Sequence, residues 1–370
     1  MTRPVLSAGD RLVVKVGTAS LVDGAGRPDE ARLEALCEDV ARARAGGAQA
    51  VLVSSGAIAA GLAPLGLDRR PSDIPSLQAA AAVGQGALMS LYAHLFARLG
   101  IVTAQMLLTR YDFMQRANYL NARNTLDRLL SLGALPVVNE NDTVAVDEIR
   151  FGDNDRLAAL VANLARARLL VLLTDADGVH AADPKKFPDA PLLDEVERIT
   201  PEVERAAGGR GSELSSGGMA SKMAAAWVAT FSGVGVVVAR ATEPGVVERL
   251  ARGERLGTYF HPNPRRASAR RLWIAFGQPP KGTLVVDDGA RRAVVAGKRS
   301  LLPVGIVAVV GDFSEGDVVD VATPDGRVFA RGLVRFSSAE LDGARGRPAA
   351  EFAGREAIHR DQLVVLEPAT

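Results

Sequence analysis

The stretch LPVVNENDTVAVDEIRFGDND, residues 135–155, decides how the rest of the chain reads. It opens on an apolar run, Leu135 to Val138, that reads as a buried strand. It then turns polar at once. Asn139, Glu140, Asn141 and Asp142 leave the strand end, and Asp153, Asn154 and Asp155 follow a short excursion. Beyond Asp155 the residues Leu157, Leu160, Val161 and Leu164 recur at helical spacing. Two clusters of carboxylates and amides therefore stand between a strand and a helix. In an open α/β sheet that is the carboxyl edge, where ligands bind. Either cluster alone reads as a solvated loop with an Asp N-cap. The pair points to a site for a ligand with amine and hydroxyl-type partners.

Working outward, three more strands end in polar residues. Arg11 to Val16 reads as the first strand and closes on Lys15-Val16-Gly17-Thr18. A lysine there fits an exposed edge face. It also fits a ligand contact, since the following glycine lets an anion approach the backbone. Ala50 to Val53 is a strand whose exit, Ser54-Ser55-Gly56, opens a helix; such a turn aims amide N–H groups at an anion, although Ser is also the commonest N-cap. Leu169 to Leu173 is apolar throughout, as in a sheet covered on both faces. It ends in Thr174-Asp175-Ala176-Asp177-Gly178, a turn or a further polar exit. Between the strands, helices are predicted at Asp29–Ala45 (Leu33, Leu36, Cys37 and Val40 on one face, ended by Gly46-Gly47), Gln78–Leu99 and Leu120–Leu132. Gly84 and Gly86 suggest close helix packing. GGRGSELSSGGMASK, residues 208–222, precedes a helix through Met223, Ala226, Trp227 and Ala229. Its glycines free the backbone to wrap a phosphate chain, but the GxxxxGK[ST] spacing is absent. An ordinary surface loop accounts for the composition equally well. A strand at Val234–Ala239 and a helix at Pro244–Leu250 follow.

At 370 residues, two domains are expected. The 48% apolar and 24% charged composition suits a globular protein with a large core. A net charge of +1 gives no global field towards nucleic acid or membrane. One cysteine, Cys37, excludes an internal disulfide and fits a reducing compartment; it reads as a small buried apolar residue. No signal peptide and no membrane-length apolar run is present, so a cytoplasmic location is expected. Four scattered histidines make no metal-ligand set. Composition shifts after Phe260. Residues 263–280 read as a linker between a first domain, 1–262, and a second, 281–367. Short Val-rich strands are expected in the second domain at 283–287, 292–296, 304–310, 317–322 and 327–334, with Thr323-Pro324-Asp325-Gly326 as a hairpin. From residue 262 onward there are 16 Lys and Arg against 13 Asp and Glu, a slight surplus of +3.

Taken together, these phrases resemble the amino-acid kinase superfamily, and within it the glutamate 5-kinase family. The resemblance rests on VVKVGT at 13–18, VSSGAIAAG at 53–61, QMLLTR at 105–110, NENDTV at 139–144, FGDND at 151–155, LLTDADGV at 172–179 and SGGMASK at 216–222. The tail resembles a PUA domain through Leu301-Leu302-Pro303-Val304-Gly305-Ile306 and His359-Arg360-Asp361. What the resemblance implies is a three-layer α/β sandwich with a mainly parallel central sheet, then a small all-β PUA domain. It implies phosphorylation of the γ-carboxylate of L-glutamate by ATP, the first step of proline biosynthesis, with proline as a feedback inhibitor. It also implies a homo-oligomer, dimer or tetramer. By similarity, Lys15 and Lys222 are the cations on the transferring phosphoryl group and Asp155 organises them. Ser55, Asp142 and Asn154 look like the glutamate-binding residues, Asp142 for the α-ammonium and Asn154 as a donor to a carboxylate. Thr174, Asp175, Ser216, Gly217, Gly218, Met219, Ala220, Ser221, Lys222 and Lys15 match nucleotide-binding positions. Mg²⁺ is expected to arrive with ATP, held largely by phosphates and water. Ser216 and Ser221 stand where threonine is frequent, and both keep the hydroxyl. Two alternatives remain. One is a nucleic-acid-binding protein, which the slight surplus of +3 disfavours because such binding draws on many Lys and Arg contacts. The other is a kinase of another small carboxylate.

Overall fold

Residues 11–16, RLVVKV, form the strand from which the first sheet grows in both directions. The computed structural model describes residues 3–23, 27–144, 154–184, 186–200, 203, 218–264, 271, 274–275, 280–296 and 299–366. The chain divides into two compact units, Met1–Arg266 and Ala267–Thr370. The predicted linker, 263–280, falls mostly outside the described residues.

The first unit holds β1 (Arg11–Val16), β2 (Gln49–Ser54), β3 (Thr103–Leu108), β4 (Leu135–Glu140), β5 (Leu169–Thr174), β6 (Glu195–Val196), β7 (Gly235–Arg240) and β8 (Thr258–Phe260). They form one sheet in the order β3-β4-β2-β1-β5-β7-β8-β6. Every neighbouring pair is parallel apart from β7–β8. The helices are α1 (Thr18–Leu21), α2 (Glu30–Ala45), α3 (Ala57–Leu62), α4 (Ile74–Arg98), α5 (Arg110–Met114), α6 (Arg116–Ser131), α7 (Asn154–Leu164), α8 (Met219–Phe231) and α9 (Val246–Ala251). Alternation along β1 splits its side chains between two covered faces. Leu12, Val14 and Val16 join Leu33, Leu36 and Val40 of α2 and Tyr92 and Phe96 of α4 in one core. Val13 and Lys15 belong to the other face, where α7 packs across β1, β2, β4 and β5. Because β2 lies on one side of β1 and β5 on the other, the sheet order reverses at β1. A crevice opens there at the carboxyl ends of the strands.

Two glycines set how closely α3 and α4 approach. A Cβ on Gly61 would lie 1.9 Å from Ala80 O, and one on Gly84 would lie 1.9 Å from Ala57 O. Neither position admits a side chain without moving a helix. Gly86, expected to act likewise, has nothing within 4 Å of its Cβ direction and faces open space. Strand β3 was not anticipated from periodicity, because it is an edge strand with a half-exposed pattern and polar Thr103 and Gln105. The two short strands β6 and β8 escaped for want of length.

In the second unit, β9 (Gly282–Val286), β10 (Ile306–Gly311), β11 (Val318–Ala322), β12 (Val328–Leu333) and β13 (Leu363–Val365) form a sheet in the order β10-β9-β11-β12-β13. Leu284, Val286, Phe313, Val321 and Phe329 fill its core. The TPDG hairpin joins β11 to β12, with Gly326 at φ +83° where only glycine is unstrained. The predicted strand at 292–296 is instead the end of helix α10 (Asp288–Val295). Val294-Val295 suggested a strand, but Asp287 accepts from Ala290 N at 2.7 Å and caps a helix with one buried face. A further helix, α11 (Ser338–Ala344), starts at a Ser337–Glu340 capping box.

Candidate active site

The strand exits converge at the crevice. Lys15, near the end of β1, is 3% exposed; Asp155, in the first turn of α7, is fully buried; Lys222, in the first turn of α8, is 5% exposed. Lys15 Nζ pairs with Asp155 Oδ1, and Lys222 Nζ with Oδ2 of the same carboxylate at 3.2 Å. The Ser221 hydroxyl donates to Oδ2 at 2.8 Å. α7 and α8 pack on each other, which brings the two helix starts to one place. Burial would push the Asp155 carboxyl up, but the two ammonium groups and the hydroxyl hold it down at about 2. Three charges of net +1 thus sit together out of water, where electrostatic attraction is strongest. A Cβ on Gly17 would stand 3.5 Å from Lys15 Nζ, in ordinary contact with it.

Beside this clamp lies a cleft of about 340 Å³ whose walls include Ser55, Gly56, Asn139, Glu140, Asp142 and Asn154. All three predicted substrate residues therefore share one cavity. Gly56 holds φ +106° at the start of α3, a conformation that β-carbon residues avoid. The Ser55 hydroxyl is buried, and among the described residues it has no hydrogen-bond partner. Such a group in a cleft wall is a partner for a ligand. Asn154 departs from expectation. Its Nδ2 donates to Ser54 O and to Asn139 Oδ1, both at 2.7 Å, so both amide hydrogens are spent. It cannot donate to a carboxylate in this arrangement; its Oδ1 can accept. Asn139 and Glu140 line the cleft too. Sequence reading noted their cluster but gave them no role; their position as the last two residues of a buried strand was the available signal.

Thr174 ends β5, and its hydroxyl donates to Asp175 at 2.9 Å. That bond, with help from the charge of Lys222, holds the Asp175 carboxyl below the usual range. Gly218 is the N-cap of α8, and Met219, Ala220, Ser221 and Lys222 form its first turn. Ser216 and Gly217 lie outside the described residues. Among the described residues, no group of three or more His, Cys, Asp and Glu side chains could hold a metal. Likewise, no helix there is long and apolar enough to cross a membrane.

The model of the amino acid kinase family matches residues 10–240, and that of the PUA domain matches residues 282–354. The glutamate 5-kinase of Streptomyces coelicolor is 50% identical over 374 aligned residues, covering 99% of this chain and 99% of the relative. That of Moorella thermoacetica is 46% identical, covering 98% of each. Among solved structures, the UMP kinase of Bacillus anthracis aligns with 69% of this chain and 96% of its own at 18% identity and TM-score 0.47. With half its residues identical along its whole length and both domain models matched in order, the chain belongs to the glutamate 5-kinase family of amino acid kinases.

Proposed function

We propose that the chain transfers the terminal phosphoryl group of ATP to the side-chain carboxylate of L-glutamate, giving L-glutamyl 5-phosphate, the first step of proline biosynthesis. One observation carries this reading: consecutive residues at the start of α7 serve two adjoining places. Asn154 lines the cleft, and Asp155 holds both lysines. An amino acid in the cleft would then sit next to the clamp.

The acceptor needs no general base, because a glutamate side chain with pKa about 4.3 is already ionised near neutral pH. The difficulty is that acceptor and phosphoryl group are both anionic. Positive charge and alignment are what lower such a barrier. Lys15 and Lys222 supply the charge. Asp155, held ionised by the two ammonium groups and the Ser221 hydroxyl, keeps those ammonium groups side by side. Asp142 has the sign to meet an α-ammonium. Thr174, Asp175 and the segment Ser216–Lys222 would face the nucleotide, with the N–H groups at the start of the 13-residue helix α8 available to phosphate oxygens. Mg²⁺ would enter with ATP, bound by phosphate and water, and would add charge neutralisation when present.

ADP release measured with glutamate, N-acetylglutamate and aspartate side by side tests the reading. Release with glutamate is expected. Release with either other acid and none with glutamate overturns it. Proline is expected to compete with glutamate for the cleft, raising its apparent KM at unchanged kcat. The functional assembly is expected to be a dimer or tetramer, read by light scattering.

A further inference from the structure

The amides in the cleft wall have a defined polarity, and the residue that sets it lies outside the cleft. Asn154 can spend a hydrogen on Asn139 only because the Asn139 amide is turned with Oδ1 towards it. The same Oδ1 also accepts from Glu140 N at 2.8 Å. The other end of that amide is held from α4: Asn139 Nδ2 donates to Gln85 Oε1 at 2.7 Å. Helix α4 contributes no residue to the cleft wall. Gln85 is next to Gly84, where the bare Cα lets α4 lie against the backbone of α3. Further along α4, the buried Tyr92 hydroxyl is 2.8 Å from Ser54 Oγ. Ser54 is also the residue whose carbonyl takes the second hydrogen of Asn154. The helix therefore fixes both partners of the Asn154 amide.

We propose that Gln85 is a positioning residue that sets the cleft's preference for a free primary amine. By fixing Asn139 it fixes Asn154 with both N–H groups turned into the protein, so that Asn154 offers an acceptor oxygen to the ligand. Together with the Asp142 carboxylate, that oxygen suits an ammonium, which carries a positive charge and three donors. An acylated nitrogen is neutral and keeps one hydrogen, so it can satisfy only one of the two acceptors and brings no charge to attract the Asp142 carboxylate. This inference rests on the glutamate reading above and names how the α-amino group is chosen.

Two substitutions test it. Gln85→Leu removes the acceptor, while Gln85→Glu keeps an acceptor oxygen at the same reach. For each variant and the parent, KM for glutamate and for ATP, kcat, melting temperature and the glutamate to N-acetylglutamate ratio of kcat/KM are measured. Gln85→Leu is expected to raise KM for glutamate about tenfold, the scale of one charge-assisted hydrogen bond. KM for ATP stays unchanged and the preference over N-acetylglutamate narrows. Gln85→Glu is expected to keep the parent's values. Should Gln85→Leu fail to fold, Gln85→Met removes the same acceptor at similar length. An unaltered KM for glutamate in the variant lacking the acceptor overturns the proposal. So does equal impairment of Gln85→Glu, which would mean the residue acts through packing. A parent that releases no ADP with glutamate overturns both readings, whereas an active parent indifferent to the substitution overturns this one alone.

Discussion

Replacing Asp155 with Asn keeps the shape of the side chain and removes its charge. In the folded protein the carboxyl is held at about 2 against an ordinary 3.8, although burial opposes this. A carboxyl held that far below its ordinary pKa contributes on the order of a few kcal/mol of folding stability. The sign follows from the direction. A depressed carboxyl stabilises the fold at pH values above its ordinary pKa, and that contribution fades as pH falls from about 4 towards 2. Asn forfeits it at neutral pH and also leaves two buried ammonium groups facing each other. Removing one partner of a buried charge pair costs about 3–5 kcal/mol. For a domain of this size that is a melting temperature lower by roughly 6–20 °C. Turnover should fall about 100-fold or more, because the lysines no longer hold their spacing. Calorimetry of parent and variant, with and without ATP, measures the first effect. ATP should narrow the gap, since its phosphates replace the missing negative charge. Adding Lys222→Met to Asp155→Asn should restore part of the stability and none of the activity, a coupling that independent sites would not show. A variant that melts within about 2 °C of the parent and turns over at the parent's rate would refute the clamp.

Three further expectations come from the same geometry. Lys222→Ala should lower kcat by roughly 100- to 1000-fold with circular dichroism unchanged, as steady-state ADP release will show. Gly84→Ala puts a Cβ 1.9 Å from Ala57 O, so α3 and α4 must separate; a lower melting temperature and a higher KM for glutamate are expected, and a parent-like variant would contradict the crossing. His180 faces Ala190 O at 2.7 Å and Asp177 Oδ1 at 3.0 Å, two acceptors that favour the doubly protonated ring and raise its pKa, the Ala190 contact most. That tie between the Asp177 turn and Ala190 should be present below pH 6.5 and be lost as pH rises through the raised pKa, which the NMR titration of the ring protons will follow.

Much of the first unit was legible because its buried elements repeat with clear periods. The apolar run 169–173 reads as a strand covered on both faces, and all six residues of β5 are buried. Edge elements were less legible. β3 carries polar residues on an exposed side, so its period is blurred. The pair Val294-Val295 suggested a strand where an Asp cap makes a helix. At the site, residue types were readable and their directions were not. Asn154 looked able to donate to a ligand; the structure spends its hydrogens on Ser54 and Asn139. An amide reads the same in sequence whichever end faces the cleft.

What the chain determined locally was a set of polar strand ends, a lysine inside an apolar strand and a glycine-rich approach to a helix. Those follow from short-range patterns of burial and backbone freedom. Residue patterns alone did not bring Lys15 and Lys222 to one carboxylate; family resemblance assigned them to Asp155. The tertiary structure supplies the reason, because strand order, set by how helices cover the two faces of the sheet, is what brings distant segments to the same edge. The tertiary structure alone decided the facing of the cleft, since hydrogen-bond direction depends on partners supplied by α4, a helix outside the cleft wall.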